Sequence, residues 1–324
     1  MSLRAAALAL LVLTLAPPVR AADPPAVEEG VRFFREGRYD DARAALAPAA
    51  EAKPANATAS FYMGRIAFVR EETKDAIRWF ETAVELDKSS STYHMWLGRA
   101  YGQQAQNVGK LSQIGLARKA KGAFDRAVAL DPENLDARDD LITFYLQAPG
   151  IMGGSADKAR TEAAEIQRRD MLRGTLAHAT IAEDQKDYPA AEHGYRSASA
   201  AFPDSMGPRY GLGIFLTRRE RYDEAFAVFD SILAAHPDDL SALYLVGRTG
   251  AVSGKQLDRA EKCLKDFLAT PRRENTPRPA GAHWRLGMVY EKQGHKDQAK
   301  EEYQKSLALD PDFKEAKKSL SKLK

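Results

Sequence analysis

The sequence predicts an all-α solenoid of about eight helix-turn-helix units, closed by a C-terminal capping helix. Three observations carry this reading. Small residues recur at intervals of 34, as Gly30, Gly64 and Gly98 and again as Ala179, Gly213 and Gly247. Each lies in an apolar stretch such as Phe61-Tyr62-Met63-Gly64-Arg65-Ile66-Ala67-Phe68. An alanine then opens a second apolar-periodic stretch, at Ala42, Ala76, Ala120, Ala159, Ala191, Ala225, Ala260 and Ala299. Finally, proline follows that alanine at a fixed interval, at Pro54, Pro132, Pro203, Pro237 and Pro311. Small facing residues let two antiparallel helices approach closely, and the proline ends the second helix and restarts the chain in extended form.

Taken in order, the chain opens with a leader-like segment. Arg4 precedes a mostly apolar run from Ala5 to Ala16, and Val19-Arg20-Ala21 fits a small-x-small cleavage site, so a mature start at Ala22 is expected. Such a run spans about 18 Å as a helix, too short for a bilayer core of about 30 Å. No cysteine follows it to accept a lipid anchor. Units then start near Asp23, Ala57, Ser91, Leu135, Leu172, Met206, Leu240 and Ala280 and fill residues 22–313. The expected location is the periplasm, with release from the cell as the other possibility.

Two units break the period. The third carries extra residues at 103–114, rich in amide side chains, and the fourth carries extra residues at 148–155. Both are expected to be loops on one edge of the array, where insertions in a solenoid collect. In the second, Ile151 and Met152 stand between glycines. Either they fold back over the helix ends, with Ser155 capping the next helix, or they contact a partner. The fourth unit also has Ile142 in place of the small residue and Met171 in place of the proline, and the second has Lys88 there. Its packing is therefore expected to be irregular. Residues 271–279 read as a polar linker. Residues 314–324 carry Ala316, Leu320 and Leu323 on one face, as a capping helix does.

Composition narrows the function classes. The 324 residues are 44% hydrophobic and 29% charged, which is ordinary globular composition. The formal charge is +3, and loss of Arg4 and Arg20 with the leader removes two of those charges. Nothing in that balance points to nucleic acid. The single cysteine, Cys263, excludes an intramolecular disulfide or a cysteine-ligated zinc site. Six scattered histidines form no metal-ligand spacing, and no phosphate loop or nucleophile elbow occurs. No catalytic, cofactor or metal residue is therefore expected, and the units leave no room for a catalytic domain.

The units resemble the tetratricopeptide repeat family. The segment from Met206 to Asp239 has Tyr210, Leu212, Gly213, Tyr222, Ala225, Phe229 and Pro237 in register, and that from Ala280 to Phe313 has Leu286, Gly287, Tyr290, Gly294, Ala299, Tyr303 and Pro311. The stretch from Leu116 to Gly154 is also similar to exported bacterial proteins of this family with no assigned function. The resemblance implies a right-handed superhelix whose first helices line an inner groove. On that basis the candidate partner-binding residues are Phe61, Arg65, Phe68, Met95, Arg99, Tyr210, Tyr244, Arg248 and Trp284, joined by Ile151 and Met152 on the loop. Aromatics interleaved with arginine suit a protein or peptide with apolar anchors and acidic groups. The alternative is that most of these aromatics are core and the arginines solvated. The lysine and asparagine pattern of members that bind chaperone tails is not visible. Two functions follow as expectations: a non-catalytic scaffold of the bacterial cell envelope, or a protein that binds or processes a small ligand or cell-wall fragment at the third and fourth units.

Overall fold

A computed structural model describes residues 23–106, 108–270, 276–311 and 313–323. The leader at 1–21, Asn107 and linker residues 271–275 lie outside the described residues.

The described residues form α-helices joined by short turns, with no strand among them. Eight consecutive pairs run α1 (Pro25–Arg35) and α2 (Tyr39–Ala50), α3 (Ala57–Val69) and α4 (Thr73–Leu86), α5 (Ser91–Gln106) and α6 (Lys110–Leu130), α7 (Leu135–Gln147) and α8 (Ala156–Gln167), α9 (Met171–Asp184) and α10 (Tyr188–Ala201), α11 (Met206–Arg218) and α12 (Tyr222–Ala235), α13 (Leu240–Ser253) and α14 (Leu257–Ala269), and α15 (Pro279–Gln293) and α16 (Lys296–Leu309). A last helix, α17 (Lys314–Lys322), buries Ala316 and packs Leu320 against the final pair.

Local chemistry explains the boundaries. Asn56, Asn134, Ser155, Asp170, Asp187 and Asp239 each accept a backbone N–H of the following first turn, so six helices start on a side-chain cap. The second helices α6, α10, α12 and α16 stop two residues before Pro132, Pro203, Pro237 and Pro311. Without a proline, α4 still stops two residues before Lys88 and α8 four residues before Met171, so neither is lengthened.

Within each pair the small residue does not mainly face the recurrent alanine. It faces the large side chain four residues beyond that alanine, one turn further along the second helix. A Cβ added to Gly64 would lie 2.7 Å from Phe80, one on Gly98 2.5 Å from Phe124, one on Gly213 2.3 Å from Phe229, one on Gly247 2.3 Å from Leu264 and one on Gly287 2.5 Å from Tyr303. The glycine is thus a seat for an aromatic or leucine side chain. In the fifth pair Ala179 takes the seat, and Gly194 on α10 supplies the space, since a Cβ there would lie 2.9 Å from the Ala179 Cβ. The fourth pair solves the same problem with the sizes exchanged. Ile142 occupies the seat, Ala163 stands where the others have a large side chain, and both are buried. The expected irregularity is a swap of volumes, not a packing defect.

The stretch 103–114 is not a loop. Gln103–Gln106 extends α5 and Lys110–Ile114 extends α6, with only 107–109 between the helices. The reason is compositional: Gln, Lys, Leu and Ala are good helix formers, and no proline interrupts them. The stretch 148–155 does interrupt the helices, as a 3-10 turn at Gly150–Met152 that ends on left-handed Gly153 and lies against α6.

Curvature follows from the contacts between units. First helices of successive pairs touch all along the chain, from α1 on α3 to α13 on α15, while the second helices make no equivalent ladder. The first helices therefore line the concave side. The turn of the solenoid is tight enough for its two halves to meet. Arg278 forms an ion pair with Glu71 at 3.0 Å, a residue in the left-handed turn between α3 and α4, and a second with Asp310.

Candidate functional site

The residue following each seat faces the groove, and the residue three before it does so in the later units. In the second and third units these positions build one zone. The Arg65 guanidinium stands 4.7 Å from the Phe34 ring centre and 4.8 Å from that of Trp96. Burial, with the nearby charge of Arg99, lowers it from the usual arginine range. Phe68 meets Trp96 edge to face at 5.4 Å. Arg99 stands over Trp96 and pairs with Asp140 at 2.6 Å, while Arg173 holds Asp136 and Asp139, each at 2.5 Å. A polar cavity of 560 Å³ opens here, floored by Met95 and Trp96 and rimmed by Glu133, Asp136 and Arg173.

Asp140 is the titratable group of interest in this zone. Burial pushes its carboxyl up to about 6, with Arg99 pulling it down and Asp136 and Asp139 pushing it further up. A carboxyl raised above its unfolded value of about 3.9 binds its proton more readily in the native state. Its contribution to stability is full below about pH 3.9 and is lost as pH rises through about 6. Asp140→Asn is therefore expected to close the gap to the parent protein as pH rises. The urea midpoint of the parent should exceed that of the variant by most near pH 4 and by least near pH 7, and a constant difference would contradict the assignment.

The second zone lies on α11, α13 and α15. The Tyr210 hydroxyl donates to Asp239 at 2.6 Å, and burial followed by that bond raises it above the usual phenol range. The Tyr244 hydroxyl accepts from the Arg285 Nε at 3.1 Å. Trp284 donates its indole N–H to Ser319 at 3.1 Å and meets Phe313 edge to face at 5.4 Å. A cavity of 490 Å³ is lined by Tyr244, Trp284, Arg285 and Phe313, and Gln106 closes it from the other half of the solenoid. The half-buried Arg248 guanidinium is lowered by burial and then by the charge of Arg285.

Two candidates are more deeply buried than the rest. Phe61 and Met95 are each only 4% exposed. Phe61 stacks on Tyr93 at 4.7 Å, so the ring fills the joint between units, and Met95 forms the floor beneath Trp96 and Arg99. Arg65, Phe68, Arg99, Tyr210, Tyr244, Arg248 and Trp284 are half-buried on the groove side. Ile151 and Met152 stand apart from them on the loop. Ile151 is 89% exposed and does not fold back, Met152 is half-buried, and Ser155 caps α8. Sequence reasoning missed Trp96 and Arg285. Both stand two residues before a seat glycine, a register that the periodicity does reveal.

Other chemistry-bearing groups are packed away. Cys263 is buried, and burial pushes its thiol up, against nucleophilic use. His283 pairs with Glu302 at 2.6 Å between α15 and α16, a contact invisible at the sequence level. Burial raises Glu302, but His283 and Lys305 outweigh it and leave the carboxyl below its ordinary range. Among the described residues no cluster of His, Cys, Asp and Glu is arranged to hold a metal ion, and no helix is long and apolar enough to cross a membrane.

Comparison with known proteins agrees with this geometry. Tetratricopeptide repeat models match residues 27–91, 176–239 and 280–321. Cellulose synthase operon protein C of Xanthomonas axonopodis pv. citri is 27% identical over 239 residues, which is 69% of this chain. The chain spans only 15% of that protein's length. A crystal structure of a tetratricopeptide repeat protein from Parabacteroides merdae superimposes with a TM-score of 0.53 at 14% identity, over 92% of this chain and 97% of that one. At that identity the likeness concerns the fold alone.

Proposed function

Because the chain belongs to the tetratricopeptide repeat family, we propose that it is a non-catalytic scaffold that binds a protein or extended peptide along the groove formed by its first helices. Repeats of this family serve generally as protein–protein interaction scaffolds. The observation that carries the reading is the groove wall itself. Half-buried aromatics and guanidiniums line it at recurring register positions, and among the described residues no further helix packs over them. Amphipathic groups of this kind, half desolvated and held by their neighbours, are what anchors an extended chain at low entropic cost.

The reading extends to a site and a compartment. The exposed Ile151 offers a second contact outside the groove. The leader-like segment supports export to the cell envelope, and the name of the Xanthomonas relative ties that protein to a cellulose synthase operon, an envelope setting.

A photo-reactive residue at Thr143, exposed on the groove side of α7, is expected to crosslink a defined partner in the native cells. The same residue at Glu85, exposed near the end of the second helix α4, is expected to give none. Crosslinking from Glu85 alone would move the binding face and defeat the groove reading. Ile151→Asp with Met152→Asp is expected to weaken capture without changing helical content, and unchanged capture would remove the loop from the interface.

The second reading, a small polar ligand or cell-wall fragment at the third and fourth units, has the 560 Å³ cavity in its favour. Its nearby carboxylates Asp136, Asp139 and Asp140 are, however, each held by an arginine. Isothermal titration with soluble peptidoglycan fragments tests it, and binding that Arg99→Gln abolishes would favour it over the scaffold.

A further inference from the structure

The two zones of the groove differ in charge balance, and the difference points to the chemistry of the partner. In the first zone Arg99 is matched by Asp140, and Arg173 by Asp136 and Asp139. In the second zone two carboxylates serve other partners, Asp239 holding Tyr210 and Asp310 holding Arg278. Arg218 is neutralised by Glu183 at 3.0 Å. Among the described residues neither Arg248 nor Arg285 meets a carboxylate, and the bond that Arg285 makes is to the neutral hydroxyl of Tyr244.

Two guanidiniums on neighbouring first helices, both half-buried, are an unfavourable arrangement by themselves. Each is partly stripped of water, and each raises the cost of the other's charge. The Arg248 guanidinium is accordingly lowered from the usual arginine range, by burial first and by Arg285 second. Such a pair becomes favourable when an anion arrives. The planar guanidinium then offers a carboxylate a two-pronged, charge-assisted bond in a site already partly dry. Beside it, the 490 Å³ cavity has aromatic walls in Tyr244, Trp284 and Phe313 that suit a large apolar side chain, and the ion-paired Arg278 and Asp310 line it together with Lys314 and Glu315.

We propose that the groove at α13 and α15 takes an acidic peptide segment, with its carboxylates on Arg248 and Arg285 and an adjacent aromatic or aliphatic side chain between Tyr244 and Trp284. This rests on the groove reading above and names the class of segment that the groove selects. A peptide is favoured over an acidic polysaccharide because the same zone presents both a carboxylate seat and an aromatic-walled cavity, which neighbouring side chains of one peptide fill together.

The test is to pan a random linear peptide library on the full protein, then titrate fluorescein-labelled winners by anisotropy. Winners are expected to be enriched in Asp and Glu next to Phe, Leu or Trp. Their affinity should fall at least tenfold in Arg248→Gln with Arg285→Gln, and fall steeply with salt. Arg78→Gln, which removes one charge from the second helix α4, should leave it unchanged. The double variant relieves a repulsion and is expected to melt no lower than the parent, so lost binding is not lost folding. Winners without acidic enrichment, or acidic winners indifferent to the double variant, would overturn the proposal and leave the groove reading standing. Winners whose binding ignores every groove substitution, including Trp284→Ala, would overturn both. Polygalacturonate binding at Arg248 and Arg285 with no peptide winner would replace the peptide by a polysaccharide and overturn the assignment.

Discussion

Ala163→Phe alone is expected to be among the most damaging single changes in this chain, and Ile142→Gly is expected to rescue much of the loss. Ala163 is fully buried on α8, and Ile142 is 4% exposed on α7. In other pairs the matching positions hold a glycine and a large side chain, as with Gly213 and Phe229. A phenylalanine added opposite Ile142 overfills the joint, at a cost of about 3 kcal/mol or somewhat more. Ile142→Gly alone leaves a void and a helix-interior glycine, at a cost of about 3–5 kcal/mol. The double variant restores the arrangement of the other units. Its loss should be smaller than the two single losses combined by about 2 kcal/mol, a coupling typical of residues in contact. Urea unfolding followed by circular dichroism measures it. Simple additivity would show that the two positions do not face each other.

Gly213→Ala and Gly122→Ala are expected to change stability in opposite directions, although both replace a helical glycine. Helix propensity alone favours alanine by about 1 kcal/mol at either site. At Gly213 the new Cβ falls 2.3 Å from the ring of Phe229, which is itself fully buried. The ring has nowhere to retreat, and overpacking of about 1–3 kcal/mol exceeds the propensity gain. At Gly122, exposed in the middle of α6, nothing lies within 4 Å of the added carbon. There the propensity gain stands, at about 0.5–1 kcal/mol. The difference in thermal midpoint between the variants reads the result. A stabilised Gly213→Ala protein would mean that α11 and α12 pack more loosely than the structure shows.

The same two positions show why so much of the architecture is legible in the sequence. A pair of antiparallel helices needs a small residue where they approach, and the need recurs whenever the pair recurs. Thirty-four-residue spacing is therefore a direct imprint of packing, and prolines two residues beyond α6, α10, α12 and α16 mark where helices must stop. Even the exchange of Ile142 for a small residue was visible, although its partner was not. The compensating Ala163 is recognisable only once the facing position is known to lie four residues beyond the recurrent alanine.

The groove was legible in part. Tyr244, Arg248 and Trp284 sit at the same register as Phe61, Arg65 and Met95, yet the first set is half-buried at the groove and Phe61 and Met95 are core. Register decides which way a side chain points, but what covers it is supplied by the next unit. Tyr93 stacks on Phe61, whereas Tyr244 meets Phe267 and, from the next unit, only the Arg285 guanidinium, and its ring stays half-buried. Likewise, helix propensity in Gln103–Gln106 extended α5, where an insertion read from spacing alone implies a loop.

The sequence by itself determined the class, the period, the helix ends marked by proline and the identity of the seats, because these depend on contacts within a unit and on local backbone chemistry. Only the tertiary structure decided which arginines are neutralised. Arg99 and Asp140 are 41 residues apart, Arg278 and Glu71 meet across the turn of the solenoid, and among the described residues Arg248 and Arg285 meet no carboxylate. Charge pairing acts over a few ångströms in space, and a curved array brings together, or keeps apart, groups whose distance along the chain carries no trace of it.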